Sequence, residues 1–148
     1  MKIILLLTYG LSLKQWKKIG ILDRELSYYV YLYKKFSIKT TIITYGDVSD
    51  FSILDKNQLE VFKIIPIYSY ITYSRFFLLR FLKSIFIFYK IRDLILDTEI
   101  IKTNQIWGSW VLLYPKIFLK KKILLRCGYE PFKNSLIDNS FILKVIFF

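Results

Sequence analysis

Histidine is absent from the 148 residues, and cysteine occurs once, at Cys127. The first absence removes the commonest general base and the commonest metal ligand together. The second rules out an intrachain disulfide and fits a reducing compartment. With no His and one Cys, no zinc site is expected. Glycine is scarce at five residues and proline at three. No GxGxxG dinucleotide fingerprint, GxxxxGK[ST] phosphate loop or GxSxG nucleophile elbow occurs. Acidic residues are few, 11 against 23 Lys and Arg, for a net charge of +12. Long uncharged runs are missing as well. The apolar stretch at residues 76–96 carries Arg80, Lys83, Lys90, Arg92 and Asp93, too many charges for a lipid-spanning helix. The N-terminal apolar run, residues 3–7, is too short for the core of a signal peptide.

What remains is apolar and basic. Hydrophobic residues make up 55% of the chain and aromatics 19%, which excludes global disorder. The length suits one domain with one core. A basic surface favours polyanions. Combined with this much Phe, Ile and Leu, it suits an anionic membrane surface better than nucleic acid. The Lys and Arg residues are dispersed rather than gathered in a stripe, which also argues against a nucleic-acid partner.

Along the chain, strand-like and helix-like segments alternate. Residues 2–7 form an apolar run closed by Thr8-Tyr9-Gly10, which predicts a buried strand. Residues 8–21 read as a loop. Leu22, Leu26, Tyr29, Tyr33 and Phe36 repeat at intervals of four and three, one face of a helix. Residues 39–45 (KTTIITY), 61–67 (VFKIIPI), 99–103 (EIIKT) and 123–125 predict four more strands, with Pro66 near the end of its strand. Residues 47–57 read as a polar connection with room for a short helix. Residues 74–96 and 105–119 read as helices, and residues 140–148 as the start of another. The pattern predicts an α/β fold: a Rossmann-like open parallel sheet of about five strands with helices on both faces. No internal repeat or low-complexity tract is present.

In such a sheet, ligands bind beyond the carboxyl ends of the strands. Those ends supply the candidate binding residues Tyr9, Gly10, Ser12, Lys14, Gln105, Arg126 and Gly128. Arg126 is placed to hold a phosphate or carboxylate bidentately; its alternative is an ion pair with Glu130 or another local acid. Trp16 is expected to pack on the sheet. The segment 74–96 is first of all a core helix. Its surplus apolar surface, rimmed by Arg75, Arg80, Lys83 and Lys90, also suits docking on lipid headgroups.

The ordered landmarks KIILLLTYG, GILDREL, TIITYGD, IIPI, EIIKTNQIWGSW and KILLRCGYE span nearly all of residues 1–133. In that order and spacing the chain resembles the N-terminal domain of GT-B glycosyltransferases of the family 4 type, enzymes of bacterial lipopolysaccharide, capsule and exopolysaccharide assembly. The resemblance implies an acceptor-binding domain over residues 1–133, with residues 134–148 beginning a further helix. It implies a nucleotide-sugar donor held mainly by a C-terminal half beyond this chain, in line or separately encoded, so that this part is inactive alone. It implies a sugar or lipid-linked acceptor, no cofactor in this chain, and a cytoplasmic location on the inner face of the membrane. The loop Ser12-Leu13-Lys14 replaces a glycine pair common in such enzymes, and the histidine many of them carry is missing, so the catalytic residues are unassigned. The alternative is a non-enzymatic membrane-surface or partner-binding module on the same fold.

Overall fold

Alternating apolar residues on short β-branched runs need cover on both faces, and the chain supplies it by winding helices to either side of a parallel sheet. A computed structural model describes residues 1–127. Gly128, Glu130 and the helix expected at 140–148 lie outside them. Five strands, β1 (Lys2–Leu6), β2 (Lys39–Thr44), β3 (Phe62–Pro66), β4 (Ile100–Thr103) and β5 (Lys122–Leu124), run parallel in the order β3-β2-β1-β4-β5. The fold is therefore the expected Rossmann-like α/β sheet, with its topological switch between β1 and β4. Pro66 is the last residue of edge strand β3, where a missing N–H is tolerated.

Strand alternation splits the core in two. Leu5, Leu7, Ile42 and Ile64 face α1 (Leu13–Lys18), α2 (Leu22–Phe36) and α3 (Lys56–Val61), where Trp16 is fully buried. Ile4, Leu6, Ile43, Ile65 and Ile101 face the other layer. That layer contains α4 (Phe77–Ile85), α5 (Ile87–Lys90), α6 (Arg92–Ile95), a 3-10 turn at Ser109–Leu112 and α7 (Leu113–Ile117). Buried Leu22, Leu26 and Tyr29 form the inner face of α2, whose bounds match the periodicity; Tyr33 is half-buried against the same core, and Phe36, expected on that face, is exposed at the helix end.

Three segments depart from the sequence reading. The supposed loop at 8–21 contains α1, closed by a reciprocal cap between Ser12 and Gln15. The single helix expected over 74–96 is three, interrupted at Phe86 and Ile91. Its apolar residues lie all round, so no straight helix buries them. The interruptions let α5 and α6 seat Ile87, Phe88, Ile91 and Ile95 on the sheet. The helix expected over 105–119 begins only at Ser109, as a 3-10 turn. Gly108 precedes it at φ 97°, a left-handed conformation that helical backbone excludes.

Candidate functional site

The site begins with one buried acid. Asp47 caps the 3-10 turn Val48–Ser52 by accepting from the Ser49 N–H at 2.8 Å. That turn carries Asp50 back under the ends of β1 and β2, where it is fully buried. Its carboxylate accepts from the Leu13 N–H at 3.3 Å, the Lys14 N–H at 3.1 Å and the Thr44 hydroxyl at 2.5 Å. The Ser12 hydroxyl takes the Gln15 N–H at 3.2 Å. The amides at the start of α1 are thus occupied from within. In a dinucleotide-binding sheet the corresponding amides face a pyrophosphate; here a side chain of the protein holds them.

Gly46 makes room for this arrangement. A Cβ at position 46 falls 2.0 Å from Asp50 Oδ2. Gly46→Ala is therefore expected to displace Asp50 and lower stability by about 2–4 kcal/mol, an overpacking loss joined to broken buried hydrogen bonds. A urea titration of the variant checks it.

Above Asp50, at the carboxyl ends of β1 to β3, lies an open cleft of about 830 Å³. Gly10, Ser12 and Lys14 form one side, and Tyr9, Tyr45, Tyr68 and Tyr73 form the wall, with Arg80 among them. Tyr9 packs edge-on against Tyr45 at 5.0 Å and leans on Trp110 at 5.1 Å. Tyr68 meets Tyr73 edge-on at 5.0 Å. The Arg80 guanidinium donates to the Tyr73 hydroxyl at 2.9 Å and lies 5.6 Å from that ring's centre. On the β4 side the switch point is closed by backbone: the Tyr9 N–H donates to the Trp107 carbonyl at 3.3 Å, and Gly108 leaves no space for a Cβ against Tyr9.

One hydroxyl in this wall, that of Tyr45, is buried without a protein hydrogen-bond partner, while the buried Tyr9 hydroxyl faces the Arg80 guanidinium. Burial pushes the Tyr45 hydroxyl well above its ordinary value. Burial, followed by the nearby Tyr9, raises Tyr68 to about 12 against the opposing pull of Arg80. These phenols stay protonated at neutral pH, so each offers both a donor and an acceptor. An unpaired buried polar group destabilises a fold. Tyr45→Phe is expected to raise the stability of the free protein by about 1 kcal/mol, because it removes an unpaired buried hydroxyl while keeping the ring. The midpoint of urea unfolding measures the gain.

The structure sorts the sequence candidates into separate places. Tyr9, Gly10, Ser12 and Lys14 line the cleft together. Arg80, expected on the lipid-facing rim, turns into the same cleft. Arg126 lies elsewhere: it donates to Glu25 Oε2 at 2.6 Å and to Asn104 Oδ1 at 3.3 Å. Its acid partner is therefore on α2, distant in sequence. Gln105 sits in the bend after β4 and lines neither place. Lys83 donates to the Thr72 carbonyl at 3.2 Å, while Arg75 and Lys90 are exposed. Asp50 and Tyr73 carry no local sequence signal, and Tyr45 and Tyr68 are legible only as strand ends. Among the described residues no three His, Cys, Asp or Glu side chains gather closely enough to hold a metal ion.

Among the described residues nothing covers the outer side of α4. Phe76 is 73% exposed, Leu78 67% and Phe86 60%, with Leu79 and Leu82 beside them. The core part of the 74–96 segment is thus α5 and α6, whereas α4 lends Arg80 to the cleft and leaves an apolar stripe outside. Among the described residues no helix is long and apolar enough to cross a membrane. Compared with protein-family models, curated proteins and solved structures, the chain matches none.

Proposed function

We propose that this chain is the acceptor-binding half of a sugar-nucleotide-dependent glycosyltransferase of the GT-B, family 4 type, serving bacterial cell-surface polysaccharide or lipopolysaccharide assembly. The observation that carries the reading is the tyrosine-walled cleft with Lys14 and Arg80 on its rim, set beside the bare apolar stripe of α4. Aromatic walls with polar tips suit a saccharide, which presents apolar C–H faces and a surrounding set of hydroxyls. The cations suit a phosphate linkage. The stripe suits the lipid end of the same acceptor, with Arg75 and Lys90 available to anionic headgroups at the cytoplasmic face of the membrane. Asp50 holds the α1 amides, so that terminus is not offered to a donor pyrophosphate. The nucleotide sugar then belongs to a donor-binding half, continuous with this one or encoded apart.

Supplied with sugar nucleotides, residues 1–148 alone are expected to show neither transfer nor hydrolysis. Joined by a donor-binding half and a lipid-linked acceptor, they are expected to transfer, and Arg80→Met is expected to slow transfer at least tenfold, chiefly through the KM for acceptor. Turnover of a sugar nucleotide by this chain alone overturns the reading. The bare stripe of α4 equally favours a second reading, a non-catalytic membrane-surface module. Vesicle binding in the absence of any acceptor binding selects that one.

A further inference from the structure

A second cavity, of about 360 Å³, opens between α2 and the carboxyl ends of β4 and β5. It shares no lining residue with the tyrosine cleft. Strand β4 turns Lys102 to this side, where its ammonium stands 5.0 Å from the centre of the Tyr28 ring and 5.2 Å from that of Tyr29. The two rings are edge-to-face at 5.4 Å, so they form a corner that holds the ammonium in place. Arg126 reaches in from beyond β5 and pairs with Glu25 Oε2, while Arg24 pairs with Glu25 Oε1 at 3.2 Å. Three cations therefore line the cavity beside one carboxylate, which is spent on the two arginines.

Among the described residues Lys102 makes no ion pair. Burial pushes its ammonium below the ordinary lysine value, Arg126 pushes it further the same way, and Glu25 only partly opposes them. An anion with several acceptor oxygens relieves this crowding. Phosphate fits the donor set: a forked guanidinium beside a point charge, at a mouth open to solvent. A carboxylate has fewer oxygens to share among Lys102, Arg126 and Arg24.

We propose that the cavity lined by Arg24, Lys102 and Arg126 binds a phosphate group, with Glu25 as the built-in competitor that the ligand displaces from Arg126. The phosphate is free or carried on a nucleotide; the chemistry recognised is the same. Arg126 is then a ligand-binding arginine, but at a site apart from the acceptor cleft, and the inference stands or falls independently of the glycosyltransferase reading.

The test is calorimetric titration of the full chain with inorganic phosphate and, separately, with a nucleoside monophosphate at low ionic strength. Saturable binding is expected. Lys102→Met should weaken it at least tenfold, and Glu25→Gln should tighten it severalfold by removing the competitor. Lys56→Met, at an exposed lysine of α3 that lines neither cavity, should leave it unchanged. Equal affinity for both ligands points to free phosphate as sufficient and tighter nucleotide binding to a nucleotide; either supports the site, provided Lys102→Met weakens it at least tenfold. Absence of saturable binding in the wild type, or unaltered binding by folded Lys102→Met, overturns the proposal. A Glu25→Gln variant that keeps its thermal midpoint yet binds phosphate more weakly overturns it too, since a purely structural Glu25 has no reason to compete.

Discussion

Asp50→Ala is expected to destabilise the protein by about 3–5 kcal/mol, the largest loss from any single polar side chain described above. Asp50 is fully buried and accepts three hydrogen bonds, from Thr44 and from the Leu13 and Lys14 amides. Its removal orphans all three donors, and each unpaired buried group costs about 1–3 kcal/mol. Water repairs part of the damage at Lys14, which is less buried than Leu13. Stability and site are coupled here, because Lys14 and Ser12 both stand at the start of α1. Hydrogen exchange should therefore show α1 opening before the sheet in Asp50→Asn, which keeps one acceptor and the shape of the side chain. Equal urea midpoints for Asp50→Ala and wild type would contradict the assignment of Asp50 as the anchor of α1.

The second large effect is expected on membrane binding. Leu78 and Leu82 lie one turn apart on the bare side of α4, at 67% and 46% exposure. Inserted among headgroups and upper acyl chains, each leucine is worth about 1.5–3 kcal/mol when fully buried. Partial burial of both gives about 3 kcal/mol together, or roughly a hundredfold in partitioning. Replacing both with serine should therefore lower flotation on anionic vesicles by about two orders of magnitude. Neither side chain belongs to the buried core, so the urea midpoint should barely move. Raising salt should weaken the wild type further, as the Arg75 and Lys90 contribution is screened. Unchanged flotation of the double variant removes α4 as the docking element.

Much of the fold is legible in the sequence because the sheet is built from local rules. The runs at β1, β2 and β4 are apolar or β-branched and end in Gly or polar turns, and the α2 stripe from Leu22 to Tyr29 is regular. Pro66 reads correctly because a proline in a parallel sheet tolerates only an edge or an end. The α1 helix is missed for lack of length: six residues, half of them lysine, show no stripe, although Ser12 and Gln15 already spell its cap. In 74–96 the apolar residues run on without a break, yet α5 and α6 pack into the sheet core while α4 packs against α5 and the 3-10 turn Ser109–Leu112. Tertiary packing sets that division. The site is less legible for the same reason. The pairing of Arg126 with Glu25 spans 101 positions, and the side of α4 that carries Arg80 is set by tertiary packing. No local pattern encodes either.

The central claim is that the tyrosine cleft receives an acceptor and not a nucleotide-sugar donor. Trp110 packs against Tyr9 of the cleft wall, so tryptophan fluorescence is expected to respond to occupancy. The decisive measurement is a fluorescence titration of the full chain with a lipid-linked saccharide in detergent and, in parallel, with a sugar nucleotide, each repeated on Arg80→Met. Saturable binding of the lipid-linked saccharide, weakened at least tenfold by Arg80→Met, is the predicted result, with no Arg80-dependent response to the sugar nucleotide. Sugar-nucleotide binding that Arg80→Met abolishes, with no response to the lipid-linked saccharide, would contradict the account.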